Sequence, residues 1–403
     1  MPNDAGVRSQ FAEACYTIME RFLCIAGSVR GQDFLRQCAE MGVRLTVLTV
    51  EGLREADWPR EAIEDLATMP GDLTREQLLN TVSWMVRGRA FDRIIPLDEC
   101  DLAGVAEIRE HLRIPGMGIT TAGYYRDRLA MRVSARESGF PGPEFCRVLN
   151  YDELREFMEL VPAPWVLQPR TRKPGAVPIS VEDQEHLWRL LDQLGDLQSH
   201  YVLEQPLEGE QFSVQSILSE RRVVFSVVLR HTLLAGGTPR VDTVDRSSRD
   251  WMELTALNGG LAPSLGMVRG VTEATFVRPQ RPGREAHYFF DQIMAGVGFG
   301  VAAQVTEAAS GLNLWREWAR LEVAHLRATN YVPNEWFDHY GASLEWPVGM
   351  VAADAGELAA REVHSRTQDQ QRERILFKSS RLERVQALAG GLAGKIADAA
   401  ACR

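Results

Sequence analysis

The chain reads as an α/β and α+β protein of more than one domain, on three observations. Strand and helix patterns alternate from Arg21 to Leu112, which implies a parallel sheet with right-handed crossovers. Later strand-like runs, Arg221–Arg230 among them, are expected in an antiparallel sheet accompanied by amphipathic helices. At 403 residues the chain is too long for one ordinary core.

A lead-in helix is expected near Arg8–Glu20. Arg21–Gly27 (RFLCIAG) is a short apolar run closed by glycine and predicts a buried strand. Phe34, Leu35, Cys38 and Met41 have helical spacing, and the β-branched run Arg44–Val50 predicts a second strand. Leu78, Leu79, Val82 and Met85 stripe a helix over Asp72–Arg87, and Asp92–Leu97 is a third strand before the acidic cluster Asp98–Asp101. The turn GSVRGQD lacks the G-x-G-x-x-G spacing, so this half is not expected to bind a dinucleotide.

Leu102–Leu112 predicts a helix, as does Tyr125–Arg132, which leads to the glycine–proline corner Ser138–Pro143. Trp165–Val181 reads as strand, loop and strand, and Asp183–Leu197 as an amphipathic helix. Two strand regions follow, Tyr201–Ile217 and Arg221–Arg230, then a loop at Val241–Ser247, a helix at Trp251–Leu265 and a strand at Gly266–Val277. His287–Ile293 predicts another buried strand. Gly296, Gly298 and Gly300 then permit a tight turn or a close approach to a ligand. Ala302–Ala309 is helix-compatible, Gly311 ends that helix, and Asn313 starts the next. Arg374–Ser379 and Arg381–Ala399 predict a closing strand and helix.

Apolar content of 45% and charged content of 25% are those of a soluble globular protein. The net charge of −10 argues against a general nucleic-acid partner. No run of about 18 apolar residues predicts a membrane span. The N-terminus lacks the basic start and apolar core of a secretory signal. The six cysteines are scattered without CxxC pairs, as expected of a reduced cytoplasmic protein, and the eight histidines have no zinc-type spacing.

The tail Glu307-Ala-Ala-Ser-Gly311-Leu-Asn313-Leu-Trp315-Arg-Glu-Trp318-Ala-Arg320 resembles the last part of the ATP-grasp fold in a branch of bacterial carboxylate–amine ligase-like proteins. Five stretches over roughly 21–325 match in the right order. The resemblance implies an N-terminal α/β pre-ATP-grasp domain (1–124), a linker helix with a small central subdomain (125–210) and a C-terminal subdomain (211–403). ATP or ADP would lie between the last two.

The implied site residues depart from the family pattern. The phosphate-facing lysine aligns with Arg128, and the lysine of the V-x-K-P strand with Gln168. Arg170, Arg172 and Lys173 follow in a flap that Pro174 and Pro178 should stiffen. Glu204 and Leu207 keep the adenine hinge, and Gln211 takes the place of the ribose-binding glutamate. In G-x-T-H-x-E-F, Glu273 stands at the histidine and Thr275 at the first magnesium ligand. In Glu-x-(Asn/Ala)-x-Arg, Asp291 stands at the glutamate and Ala295 at the arginine. Magnesium takes hard oxygen ligands, usually one or two carboxylates with phosphates and water. The expectation is therefore a non-catalytic nucleotide- or metabolite-binding protein, alone, as a homodimer or beside an active relative, with weak ATP or ADP binding that magnesium barely improves. The alternatives are an active ligase, in which Glu273 and Asp291 hold one metal while Arg128 and Lys173 replace the lysine, and a structural dimerisation scaffold.

Overall fold

In the computed structural model, which describes residues 19–172, 177–234, 237–279, 288–351 and 356–401, three sheets succeed one another along the chain. The first is parallel, in the order β3-β2-β1-β4: β1 (Arg21–Ala26), β2 (Arg44–Val50), β3 (Asp65–Met69) and β4 (Arg93–Pro96). Helix α1 (Gln32–Glu40) connects β1 to β2, α2 (Arg75–Met85) connects β3 to β4, and α3 (Leu102–Leu112) follows β4. Thr74 and Gln77 form a reciprocal capping box that fixes where α2 begins.

The helix expected across Tyr125–Arg132 is two helices, α4 (Ile119–Arg126) and α5 (Arg128–Glu137). Asp127 divides them because its carboxylate accepts from the Leu129 and Ala130 amides and so caps α5. A four-stranded antiparallel sheet follows, in the order β5-β8-β6-β7. It contains β5 (Phe145–Arg147), β6 (Trp165–Pro169), β7 (Ile179–Val181) and β8 (Tyr201–Glu204). It packs on α6 (Tyr151–Leu160) and α7 (Gln184–Leu194) through Leu154, Phe157, Trp165, Leu187 and Leu191.

The third sheet is antiparallel and has eight strands, in the order β13-β12-β9-β10-β11-β14-β16-β15. They are β9 (Gly209–Ser219), β10 (Arg222–Leu234), β11 (Thr238–Thr243), β12 (Gly270–Pro279), β13 (Phe289–Ala295), β14 (Tyr340–Pro347), β15 (Val363–Gln368) and β16 (Arg372–Ser379). One face meets α8 (Arg249–Ser264) through Phe212, Val214, Leu254 and Leu261. The other meets α9 (Ala302–Ser310) and α10 (Leu314–Leu326) through Ile217, Val271, Val305 and Leu321. Phe34 of α1 stacks edge-on against Trp318 of α10 at 5.2 Å, so the N-terminal unit is seated on the large sheet's helices. The closing helix α11 (Leu382–Ala401) covers β14 and β16 through Val385, Leu388, Leu392 and Ile396.

The α/β and α+β expectation holds. Val241–Thr243, expected in a loop, belongs to β11, because β10 and β14 supply its ladder on both sides. Its sequence, TPRVDT, is polar because Arg240 and Asp242 pair with each other. Residues 8–18 of the expected lead-in helix and His287 lie outside the described residues, and Met19 and Glu20 are not helical.

Candidate functional site between the small sheet and the large one

The site is built on the β12–β13 pair. Glu273 lies opposite Met294, and Thr275 opposite Gln292. Between Thr275 and Phe276 the register shifts, so Phe276 meets Phe290 and Asp291 is left as the bulged residue. Alternation then sends Ile293 into the core, fully buried. Gln292 and Met294 line a cavity of about 420 Å³ with Arg128, Gln168, Arg170 and Arg172. The bulge shifts the pairing of β13 by one residue beyond Asp291. Asp291 and Gln292 both stand against Thr275, whose hydroxyl lies 3.4 Å from the Asp291 carboxylate, and beyond the bulge Met294 rather than Ile293 is the partner of Glu273.

Asp291 also meets two arginines. Arg128 of α5 donates to both oxygens of Glu204 at 2.9 and 2.8 Å and to Asp291 at 2.9 Å. One helical turn on, Arg132 donates to the same two carboxylates at 2.9 and 3.2 Å (Glu204) and 3.2 Å (Asp291), and to the Phe290 carbonyl at 2.8 Å. Two guanidiniums and two carboxylates thus neutralise each other at the end of β8, where an adenine hinge was expected. Burial raises the Glu204 carboxyl, but Arg132 and Arg128 outweigh it and hold it below the usual carboxylate range. Asp291 is held low by the same balance, with Arg128 the stronger partner. The same two acids raise Arg128 further, so the network stays ionised.

The other expected residues are distributed around this network. Gln168 and Arg170 reach the cavity from β6 and its end. Arg170 is held by Asp127 and by the Ser199 carbonyl. Arg172 donates to the Gln292 side-chain oxygen and contacts the Met294 sulfur at 3.3 Å. Lys173 and Pro174 lie outside the described residues. Leu207 is half-buried in the link between β8 and β9, and Gln211 is exposed on β9. Ala295 faces the far side of β13 and lines a different cavity. Residue patterns missed Arg132, Gln292 and Met294. Arg132 had a signal, since it lies four residues from Arg128 on one helical face.

Glu273 of β12, expected as a second metal ligand, is buried, and burial, resisted by Ser213, Arg172, Gln215 and Arg30, pushes it up to about 7. A side-chain oxygen of Glu273 lies 1.3 Å from where a Cβ on Gly298 would stand, so the glycine turn is closed against it. Its cross-strand neighbour is the soft thioether of Met294, and Gln292 supplies a neutral amide. Among the described residues no group of three or more His, Cys, Asp or Glu side chains is placed to hold a metal.

No family model matches the chain. It is 21% identical over 244 residues to the L-arginine-specific L-amino acid ligase of Bacillus subtilis, a match that spans 58% of each chain, less than two thirds of that relative. In structure it is similar to the L-amino acid ligase from Bacillus licheniformis, with a TM-score of 0.69 at 14% identity, covering 95% of this chain and 98% of that one. It is also similar to N5-carboxyaminoimidazole synthetase from Staphylococcus aureus complexed with ADP, with a TM-score of 0.68 at 13% identity, covering 94% and 97%. These neighbours are ATP-grasp carboxylate–amine ligases. The chain has the ATP-grasp fold, with a parallel pre-ATP-grasp domain in front of it. No helix among the described residues is long and apolar enough to cross a membrane.

Proposed function

We propose that this protein is a non-catalytic member of the ATP-grasp carboxylate–amine ligase-like group, a binding or accessory protein that uses the cleft without phosphoryl transfer. The observation that carries this reading is the β12–β13 register. Thr275 stands beside Asp291 and Gln292, and Glu273 faces Met294, so Asp291 meets a hydroxyl rather than a second carboxylate across the strand pair, where a metal would bridge phosphates. The Arg128–Arg132–Glu204–Asp291 network supports it, because a triphosphate entering there has to compete with two carboxylates for the same guanidiniums. The cavity of about 420 Å³ beside Gln168, Arg170 and Gln292 leaves room for a small polar ligand.

Calorimetric titration of ATP and ADP, each with and without magnesium, tests the reading. Weak binding with little magnesium dependence is expected, together with no ATP turnover on a panel of amino acids and small acids. Phosphate release that requires both a carboxylate and an amine, and that is lost in Glu273→Gln, overturns it in favour of an active ligase.

A further inference from the structure

A second cluster of buried arginines lies away from the cleft, where the N-terminal sheet meets α10. Arg93 from β4, Arg109 from α3 and Arg269, one residue before β12, converge on Glu322 and His325 of α10. Arg93 and Arg269 approach Glu322 at 3.7 and 3.5 Å. Arg93 also contacts His325 Nδ1 at 3.1 Å, and Arg269 contacts Nε2 at 3.0 Å. Arg109, 6% exposed, donates to the Ile94 carbonyl.

This cluster has too many donors and too much positive charge. Three guanidiniums face one carboxylate. Asp92 and Glu220 act from further out, and neither carboxylate hydrogen-bonds these arginines among the described residues. A neutral imidazole offers a single acceptor nitrogen, yet arginine N–H groups approach both nitrogens of His325. Burial of the imidazole, then the charges of Arg269 and Arg93, keep His325 below its usual range, so it stays neutral and keeps its single acceptor nitrogen. The Nε atoms of Arg93 and Arg269 are buried without a hydrogen-bond partner. Burial pushes Arg109 down to about 10. Uncompensated buried charge of this kind is strongly unfavourable, which is why buried charges are normally paired.

A cavity of about 200 Å³ opens beside the cluster, lined by Arg109, Arg269 and Glu322 and by Gly116, Gly118 and Gly270. Glycines keep it open: a Cβ on Gly116 would stand 2.7 Å from the Arg109 guanidinium. Gly116 and Gly270 also have positive φ, 156° and 135°, which disfavour a side chain there.

We propose that this cavity is a binding site for a small oxyanion, held by Arg109 and Arg269 with Arg93 behind them. A phosphoryl group and a carboxylate share the required chemistry: several acceptor oxygens, negative charge and a fit to guanidinium forks. The site is separate from the nucleotide cleft and stands whether or not the cleft binds ATP.

The test is thermal unfolding of the full chain at constant ionic strength, with chloride exchanged for inorganic phosphate in one arm and for succinate in the other. Saturation of the site should raise the midpoint by about 3 °C or more, by ligand linkage. A rise with phosphate alone assigns a phosphoryl-bearing ligand, and a rise with succinate alone assigns a carboxylate. Arg269→Met should abolish the rise without lowering the midpoint in chloride, because it removes one unopposed charge. Glu322→Gln should lower the chloride midpoint and enlarge the rise. Phosphorus NMR of the unmodified protein should show exchange broadening of added phosphate if the phosphate arm responds. No shift with either anion, or an equal shift in Arg269→Met, overturns the proposal.

Discussion

The protein buries two arginine clusters of opposite character. At the cleft, Arg128 and Arg132 meet Glu204 and Asp291, two cations against two anions, with bidentate geometry at Glu204. At the junction of β4 and α10, Arg93, Arg109 and Arg269 share Glu322. The balanced cluster is satisfied from within and needs nothing from outside, while the excess cluster lacks acceptors and lies beside a cavity. The place where the fold led one to expect a charged ligand is therefore the internally neutral one.

The largest effect should come from unbalancing the neutral cluster. Glu204→Gln leaves two buried guanidiniums facing Asp291 alone, and removing one partner of a buried ion pair costs about 3–5 kcal/mol. Urea unfolding measures this. The double variant Glu204→Gln with Arg132→Gln should lose clearly less than the sum of the singles, by about 1 kcal/mol or more, because the groups share one network. A loss below about 1 kcal/mol for Glu204→Gln would show that water already reaches the cluster, and the contrast with the junction would collapse.

Glu273 gives the next effect and reads the same cleft through pH. Its folded value, about 7, lies above the ordinary 4.5, so the folded state keeps a proton that the unfolded chain releases between those values. Its contribution is fully present below about pH 4.5, falls as the pH rises and levels off near 7. The fall is roughly 3 kcal/mol. Glu273→Gln should flatten this part of the stability–pH curve, measured by denaturant melts at pH 4.5 to 7.5. Glu204 runs the other way: its folded value is depressed, so its stabilisation is present above the unfolded value and lost in acid. A curve unchanged by Glu273→Gln would mean that its carboxylate is solvated at neutral pH.

Much of this was legible in the sequence. The corner from Glu307 to Arg320 is legible because its glycine and asparagine end one helix and cap the next. Asn313 caps α10 by accepting from the Trp315 and Arg316 amides and donates to Asp33 and Glu307. Glu317, 1% exposed, gathers Arg320, Tyr331 and Asn334. Gly311 ends α9 at φ 81° as expected. The strand pair was harder. A bulge adds one residue to one strand and leaves no mark in composition, yet it reverses which face each later side chain takes. Residue order alone therefore does not show that Met294, rather than Ile293 or Ala295, is the partner of Glu273. The arginine clusters were also hidden, since Arg93, Arg269 and His325 come from three separate stretches that only the folded chain brings together. β15, which forms an edge, gave no signal because its residues are almost all exposed and polar.

The smallest predicted effect decides the register itself. Thr275→Glu with Gln292→Glu and Met294→Asn places two carboxylates and an amide oxygen on one row of the β12–β13 pair, the hard oxygen set that magnesium takes. ATP should then raise the melting midpoint only when magnesium is present, by up to about 2.7 kcal/mol at a hundredfold excess over the dissociation constant. Single replacements should do little, because one carboxylate without its metal partner only repels the triphosphate. Thr275→Glu with Asp291→Glu, the set read from residue order alone, should behave differently. It lengthens a side chain already clasped by Arg128 and Arg132 and leaves Gln292 in the cavity, so it should lose stability and gain no magnesium response. Neither set should recover turnover. Gly296, which follows Met294 on that row, has φ 110°, and an arginine there would be strained whatever space it found. If the second set gains the magnesium response and the first does not, then Asp291 leaves its arginines when nucleotide arrives, and the balanced cluster is a closed state of a working site.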